Sequence, residues 1–304
     1  MKSLIVGLSL PLLFFMYGCQ EDQKTSEPAA NRGNTVVVTK EQRFDYQTWK
    51  IETANGTWHF EYEHADSGYT STGFSSAIDS EGNDWIGNDC VDNREWRGWP
   101  NFGPDGFGHP CRGGGGDSRW IDTNTIPINF TDTLRGEHLI LESWNDNYRV
   151  LYHFFPSHAA IEVLEARQPY AFLFEGPIAG QMDIEQQHYV LEDGVKYGLE
   201  NARGLGYLNP EFGNDFPSPF FYFTDKEASQ ILYVGAKGHT EGGDEGWAQP
   251  DNMVIFSYGR DEDEHALTGT DGVAVFGFLD KEMGHDQISD FINARLENPF
   301  KPVE

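Results

Sequence analysis

The chain has 304 residues, of which 49 are Asp or Glu and 21 are Lys or Arg, giving a formal net charge of −28. So acidic a protein repels a phosphate backbone, which excludes nucleic acid as a partner. Residues 36–304 suffice for one large domain with its own core, and no apolar segment after the leader is long enough to cross a membrane as a helix.

The chain begins with Lys2, an apolar run over 4–16, and Tyr17-Gly18-Cys19. This charged, apolar and small-residue order reads as an export signal over 1–18. A small residue directly before Cys resembles the bacterial lipobox, which implies acylation of Cys19. An ordinary signal peptide with an incidental Cys is the alternative. Residues 19–35 are polar, with Pro and Ala, and fit a flexible tether. The expectation is an outer-membrane lipoprotein, on the cell surface or the periplasmic face. With Cys19 acylated, Cys90 and Cys111 are left to pair in an oxidising compartment or to remain as two buried thiols.

Trp58-His59-Phe60-Glu61-Tyr62-Glu63 alternates strictly, as a half-buried strand does. Residues 73–86 read as strand, turn and strand, with Glu81-Gly82-Asn83 as the turn. Strand-like runs follow at 139–144, 148–155, 159–166, 170–175, 219–224, 230–236, 253–258 and 273–279. They are rich in β-branched and aromatic residues, and Gly, Asn, Asp and Pro separate them. One helix is expected near the C-terminus, capped by Asp286, with Ile288, Phe291, Ile292 and Leu296 on one face and Pro299 as its stop. Many strands and little helix in one domain predict an all-β fold of two packed antiparallel sheets.

The stretch 93–122 has no periodicity, yet it holds Arg94, Arg97, Arg112 and Arg119 against Glu95, Asp105, Asp117 and Asp122, an even balance in a chain whose acids outnumber its Lys and Arg by 49 to 21. A long loop so rich in guanidinium for this acidic chain suits an anionic ligand, with Trp96, Trp99 and Trp120 as flat apolar walls. The bland alternative is a surface loop whose arginines pair with nearby carboxylates. His109, between Gly108 and Pro110, has no packing reason to be there. His158 follows Phe155-Pro156-Ser157, where one strand gives way to the next and a side chain can be aimed at a cleft. His239 lies in a second Gly-rich loop. His59, His138 and His153 sit within strand patterns and read as structural, and Tyr152 and Tyr222 are weaker candidates for proton transfer. Glu175 ends an apolar strand, either as a ligand for sugar hydroxyls or as a strand-end carboxylate meeting water. His239 with Glu241, Asp244 and Glu245 could hold a hard cation, but an acidic loop is the better reading, and no metal or other cofactor is expected.

The phrases at 73–87 (GFSSAIDSEGNDWIG), 95–101 (EWRGWPN), 152–166 (YHFFPSHAAIEVLEA) and 171–180 (AFLFEGPIAG) together resemble a family of β-sandwich lipoproteins from algal-polysaccharide-degrading Bacteroidetes. Within it the ulvan oligosaccharide dehydratase type is the nearest in kind. The resemblance implies a galactose-mutarotase-like supersandwich and a carbon–oxygen lyase acting on uronate-containing, sulfated oligosaccharides. Removing the C5 proton and expelling the group on O4 requires a cation for the carboxylate, a base and an acid. On chemical grounds Arg97 and Arg119 are candidates for the cation, and His109 and His158 for proton transfer. Trp99, Asn101, Arg119, Glu175 and His239 are candidates for substrate contact. The alternatives are a lyase that cleaves the glycosidic bond, a glycoside hydrolase using Glu175 with Asp84 or Glu95, and a non-catalytic glycan-binding lipoprotein.

Overall fold

The computed structural model describes residues 33–66, 68–90, 96–111, 115–199, 218–237, 244–249, 252–261 and 264–302. The strands are β1 (Val36–Arg43), β2 (Tyr46–Glu52), β3 (Thr57–His64), β4 (Thr70–Ile78), β5 (Asp117–Ile121), β6 (Thr133–Gly136), β7 (Leu139–Trp144), β8 (Tyr148–Phe154), β9 (Ala159–Ala166) and β10 (Phe172–Gly176). They continue with β11 (His188–Leu191), β12 (Lys196–Gly198), β13 (Phe220–Thr224), β14 (Gln230–Lys237), β15 (Glu245–Gln249), β16 (Met253–Tyr258), β17 (Arg260–Asp261), β18 (Glu264–His265) and β19 (Val273–Asp280), and the helix α1 (His285–Glu297) follows.

A five-stranded sheet in the order β4-β3-β2-β1-β6 faces a nine-stranded sheet in the order β12-β11-β13-β14-β19-β9-β8-β7-β5. A three-stranded sheet, β10-β16-β15, and the hairpin β17-β18 complete the architecture. The pairings are antiparallel, for example β3 with β4 and β8 with β9. The fold is therefore all-β, an antiparallel sandwich with a short C-terminal helix.

Alternation builds the core between the two large sheets. Trp58 and Phe60 point from β3 to the nine-stranded sheet, where their rings meet Phe276 at 4.9 Å and Tyr152 at 5.3 Å between centroids. Tyr152 is fully buried, and its hydroxyl donates to the Thr72 carbonyl (3.3 Å), so it belongs to the core and not to a site. Helix α1 covers the other face of the nine-stranded sheet through Ile288, Ile292 and Leu296, the face read from its periodicity. It begins two residues earlier than expected: Gly284 is the N-cap, with no side chain to cap the first turn, and its own N–H donates to Gln287 Oε1 (3.1 Å). Asp286 lies inside the first turn, where its charge complements the helix dipole.

Two further expectations fail here. The polar face of β3 is wet only towards its end, at Glu63, while His59 and Glu61 on the same face are buried, Glu61 fully. A buried carboxylate must be hydrogen-bonded, and Thr48 Oγ1 donates to it at 2.5 Å while the Ser75 hydroxyl donates to its other oxygen. Burial still pushes the Glu61 carboxyl above its ordinary range, against those two bonds and Arg43. Residues 73–86 form only one strand, followed by a single bridge between Ile78 and Asp84. The side chains of Asp79 and Asp84 take the amides that a second strand would have paired: Asp79 Oδ1 accepts from Glu81 N and Asn83 N, and Asp84 Oδ1 from Ala77 N and Gly87 N.

Candidate functional site

The loop carrying His109 is built into the fold by backbone pairing. Residues 98–102 run beside β10, with Gly98 N donating to Glu175 O (2.8 Å), Glu175 N to Gly98 O (3.0 Å), Leu173 N to Pro100 O (2.7 Å) and Ala171 N to Phe102 O (2.9 Å). The chain then folds back on itself through Asn101 N to Gly108 O and Phe102 N to Phe107 O, both 2.9 Å. Phe102 and Phe107 are fully buried, and Phe102 stacks on Tyr170 at 4.4 Å. The returning strand crosses β4 at Gly73, where a Cβ would lie 2.5 Å from Gly108 O. Cys90 and Cys111 are bridged, closing a span of 21 residues around this segment. Residues 98–108 are thus held in place although they lack periodicity, because their aromatic residues and amides are used locally.

This scaffold opens a cleft of about 230 Å³ lined by Trp96, Asn101, His109, Glu175, Arg260 and His265, with Leu173 between them. Leu173 and Glu175 alternate with Phe172 and Phe174 on β10, so the latter pair enters the core while the former faces the cleft. The Asn101 amide donates to Glu175 Oε2 and also to Trp96 O (3.3 Å). Asn101 sits at φ 43°, a region that Asn tolerates better than most residues. His109 Nδ1 lies 2.6 Å from Pro110 O. A carbonyl only accepts, so Nδ1 carries the proton and Nε2 is the basic nitrogen of the neutral ring. Trp96 is half exposed, with its ring edge-on to His109 at 6.1 Å between centroids. Arg260 and His265 are cross-strand partners of the β17–β18 hairpin. That hairpin starts from Gly259, at φ 76°, whose N–H donates to the buried Asp244 at 2.8 Å.

No protein-family model matches the chain, and no curated protein does. Among solved structures, the chain is similar to HI1317 (13% identity, TM-score 0.46, covering 81% of this chain and 99% of that one). It is also similar to a candidate mutarotase (YeaD) from Salmonella typhimurium (12% identity, TM-score 0.45, covering 81% and 94%). A third likeness is to the YidC insertase (8% identity, TM-score 0.39, covering 88% and 48%). These likenesses are too distant to carry a residue role or a reaction to this chain.

Of the residues singled out in the sequence, the structure brings His109, Asn101, Glu175 and Trp96 together and places the others elsewhere. Trp99 is buried and packs on Phe276 (5.4 Å), so it is core and not a wall for substrate. Trp120 is likewise buried, against Trp49. Arg119 projects from β5, at the edge of the nine-stranded sheet. There it pairs with Glu142 (2.7 Å), which also holds Arg149, and lies over the Trp144 ring. His158 is buried and stacked on Phe155 (4.6 Å), with Nε2 donating to Pro299 O (3.2 Å). Burial pushes it down to about 4, so it is a structural imidazole tying the strand end to the segment after α1. Asp84, the partner carboxylate considered for Glu175, holds the turn described above. Cys19, Arg94, Glu95, Arg112, His239 and Glu241 lie outside the described residues.

Arg97 departs furthest from expectation. Its Nε and Nη2 donate to Asn252 Oδ1 (3.1 and 2.6 Å) and its Nη1 to Gly87 O (3.1 Å). It braces one loop against another. Replacing Arg97 with Ala should lower stability by about 1–3 kcal/mol while turnover per folded molecule stays unchanged, as thermal melts and rates on the same samples would show. A large loss of turnover at an unchanged melting temperature would return Arg97 to the site.

Arg260 and His265 are functional candidates that the sequence reading passes over, although a signal is there. They flank four successive carboxylates, Asp261 to Glu264, and a cation in an acidic chain is as conspicuous at Arg260 as at Arg97.

Proposed function

We propose that the chain is a carbon–oxygen lyase acting by β-elimination on uronate-containing, ulvan-type oligosaccharides, and that it removes water at the non-reducing end. The observation supporting this reading is the convergence of one guanidinium, two imidazoles, a carboxylate–amide pair and an exposed indole on one cleft. In this reading Arg260 faces the substrate carboxylate and offsets charge developing there, a task that passes to it from Arg97 and Arg119. His109 Nε2 takes the C5 proton. The C5–H electron pair becomes the C4–C5 double bond as the C4–O4 bond breaks, and O4 leaves as water with a proton from His265. Glu175, oriented by Asn101, accepts from a sugar hydroxyl, and Trp96 supplies an apolar face for the ring.

A hydrolase would need a second carboxylate set across the cleft. Among the described residues lining it, Glu175 is the single carboxylate. The sequence of the leader supports export and a lipid anchor at Cys19, and in this reading the reaction takes place at the outer membrane.

Incubation with ulvan and with its short oligosaccharides tests this reading, by ultraviolet absorbance of the conjugated uronate and by mass. We expect absorbance with loss of water and no chain cleavage. Absorbance with new reducing ends would mean a polysaccharide lyase. Reducing ends without absorbance would mean a hydrolase, and binding with neither would leave a glycan-binding protein.

A further inference from the structure

A second cavity, of about 720 Å³, lies where the start of α1 meets the ends of β11, β12 and β13. It shares no lining residue with the first cleft. Three of the chain's nine lysines, Lys196, Lys226 and Lys281, line it. They come from three separate elements: the edge strand β12, the turn after β13 and the turn after β19. Lys196 and Lys226 are exposed and Lys281 is half-buried. Lys281 Nζ donates to Lys226 O (2.7 Å), which holds two of the three together. Neither Lys196 nor Lys226 has a carboxylate within ion-pair distance among the described residues, in contrast to Lys50, which pairs with Glu52 (3.2 Å).

The rest of the lining argues for a sugar and not for a bare ion. Ile231, Met283 and Ile288 form an apolar floor, while Tyr222, Thr224 and Gln186 offer hydroxyl and amide groups around it. Tyr222 OH is held against His285 Nδ1 (3.2 Å), and His285 Nε2 reaches Glu192 O (3.1 Å), so this wall is fixed. Two carboxylates, Asp225 and Glu185, also line the cavity. Asp225 is fixed in its own turn, accepting from Gln187 Nε2 (3.0 Å) and from Glu227 N (2.7 Å), and the three lysines outnumber the two lining carboxylates.

We infer that this cavity is a second glycan-binding site, which takes an oligosaccharide carrying sulfate or carboxylate groups and holds it through Lys196, Lys226 and Lys281. It rests on the proposed reading for the class of glycan alone, since the cavity and its lysines are independent of the catalytic cleft. Its function is to keep a long anionic chain at the enzyme between turnovers.

The test is calorimetric titration of the full chain, in a His109→Ala background, with short ulvan oligosaccharides. We expect two classes of site. The combined Lys196→Ala, Lys226→Ala, Lys281→Ala variant should lose one of them, with binding there weakened about tenfold or more and its salt dependence removed. A control variant, Lys40→Ala, Lys237→Ala, Lys301→Ala, changes net charge equally and should keep both classes. Desulfated and carboxyl-reduced oligosaccharides would tell which anion the lysines hold. The inference is overturned if the two triple variants bind alike, if only one class is seen, or if an oligosaccharide stripped of both anions fills the second site as tightly. Lysine-dependent binding without any turnover in the native enzyme would sink the lyase reading and leave this site standing, while turnover with lysine-independent binding would do the reverse.

Discussion

His109→Ala should lower the rate of unsaturated-uronate formation by about 10²–10⁴-fold, the usual scale for removing a positioned proton-transfer group. Oligosaccharide binding should survive, because the Glu175–Asn101 pair, Arg260 and Trp96 remain in place. Folding should survive as well: the loop is fixed by Phe102, Phe107, the Cys90–Cys111 bridge and its pairing with β10, to which the His109 ring adds its bond to Pro110 O. Loss of that bond costs on the order of 1 kcal/mol. Glu175→Gln is the companion variant. It keeps a group of the same shape beside Asn101 but replaces an acceptor oxygen with a donor amide, so it should weaken substrate binding more than the chemical step. If His109→Ala keeps near-native turnover, the base lies elsewhere in the cleft, and His265 is the first place to look. If the variant fails to fold, His109→Gln with the same readout decides the matter.

The strands are legible in the sequence because their alternation and their β-branched and aromatic content act locally, and so is the apolar face of α1. The position of a loop residue is not, because direction in a loop is set by partners remote in sequence. Arg97 and His109 lie twelve residues apart in one Gly-rich stretch. One turns to Asn252 and the other lines the cleft, and nothing within the stretch distinguishes them. Trp99 departs from expectation for a related reason. A Trp beside Pro in a polar loop looks exposed, but residues 98–102 pair with β10 and this Trp follows the strand's inward face. His158 has the pattern of an edge residue because it lies in the turn between β8 and β9. The segment after α1, more than a hundred residues later, closes over that edge and buries it. Arg260 and His265 meet the loop only through tertiary packing of a two-residue hairpin, too short to leave a periodicity in the sequence.

That same burial of His158 sets a quantitative expectation for acid. Burial lowers His158 to about 4 from its ordinary 6.5, with the charge of Arg295 adding to the effect and the bond to Pro299 O opposing it. His138, which stacks on the other face of Phe155 (4.3 Å) and whose Nε2 lies 2.9 Å from His153 Nδ1, is also lowered to about 4, by burial and then by His153. The unfolded chain therefore binds protons at these positions before the folded one does. The stability they contribute is complete above pH 6.5 and is lost as pH falls from there toward 4. Each factor of ten in proton affinity is worth about 1.4 kcal/mol, so His158 alone should withdraw on the order of 3 kcal/mol over that window. Glu61, raised by burial, acts in the opposite direction: it takes its proton in the folded state first, so acid favours the fold at that position. A single melting curve against pH would mix these effects, and the informative quantity is a difference. His158→Phe keeps the stack on Phe155 but cannot titrate and cannot reach Pro299 O. At neutral pH it should be the less stable protein by about the worth of one hydrogen bond. As pH is lowered to 4 that gap should close and then reverse, because only the wild type must strip or bury a proton at this position. A gap that stays constant from neutral pH to 4 would mean that His158 takes its proton in the fold as readily as in the unfolded chain, and that the carbonyl of Pro299 holds it as a cation.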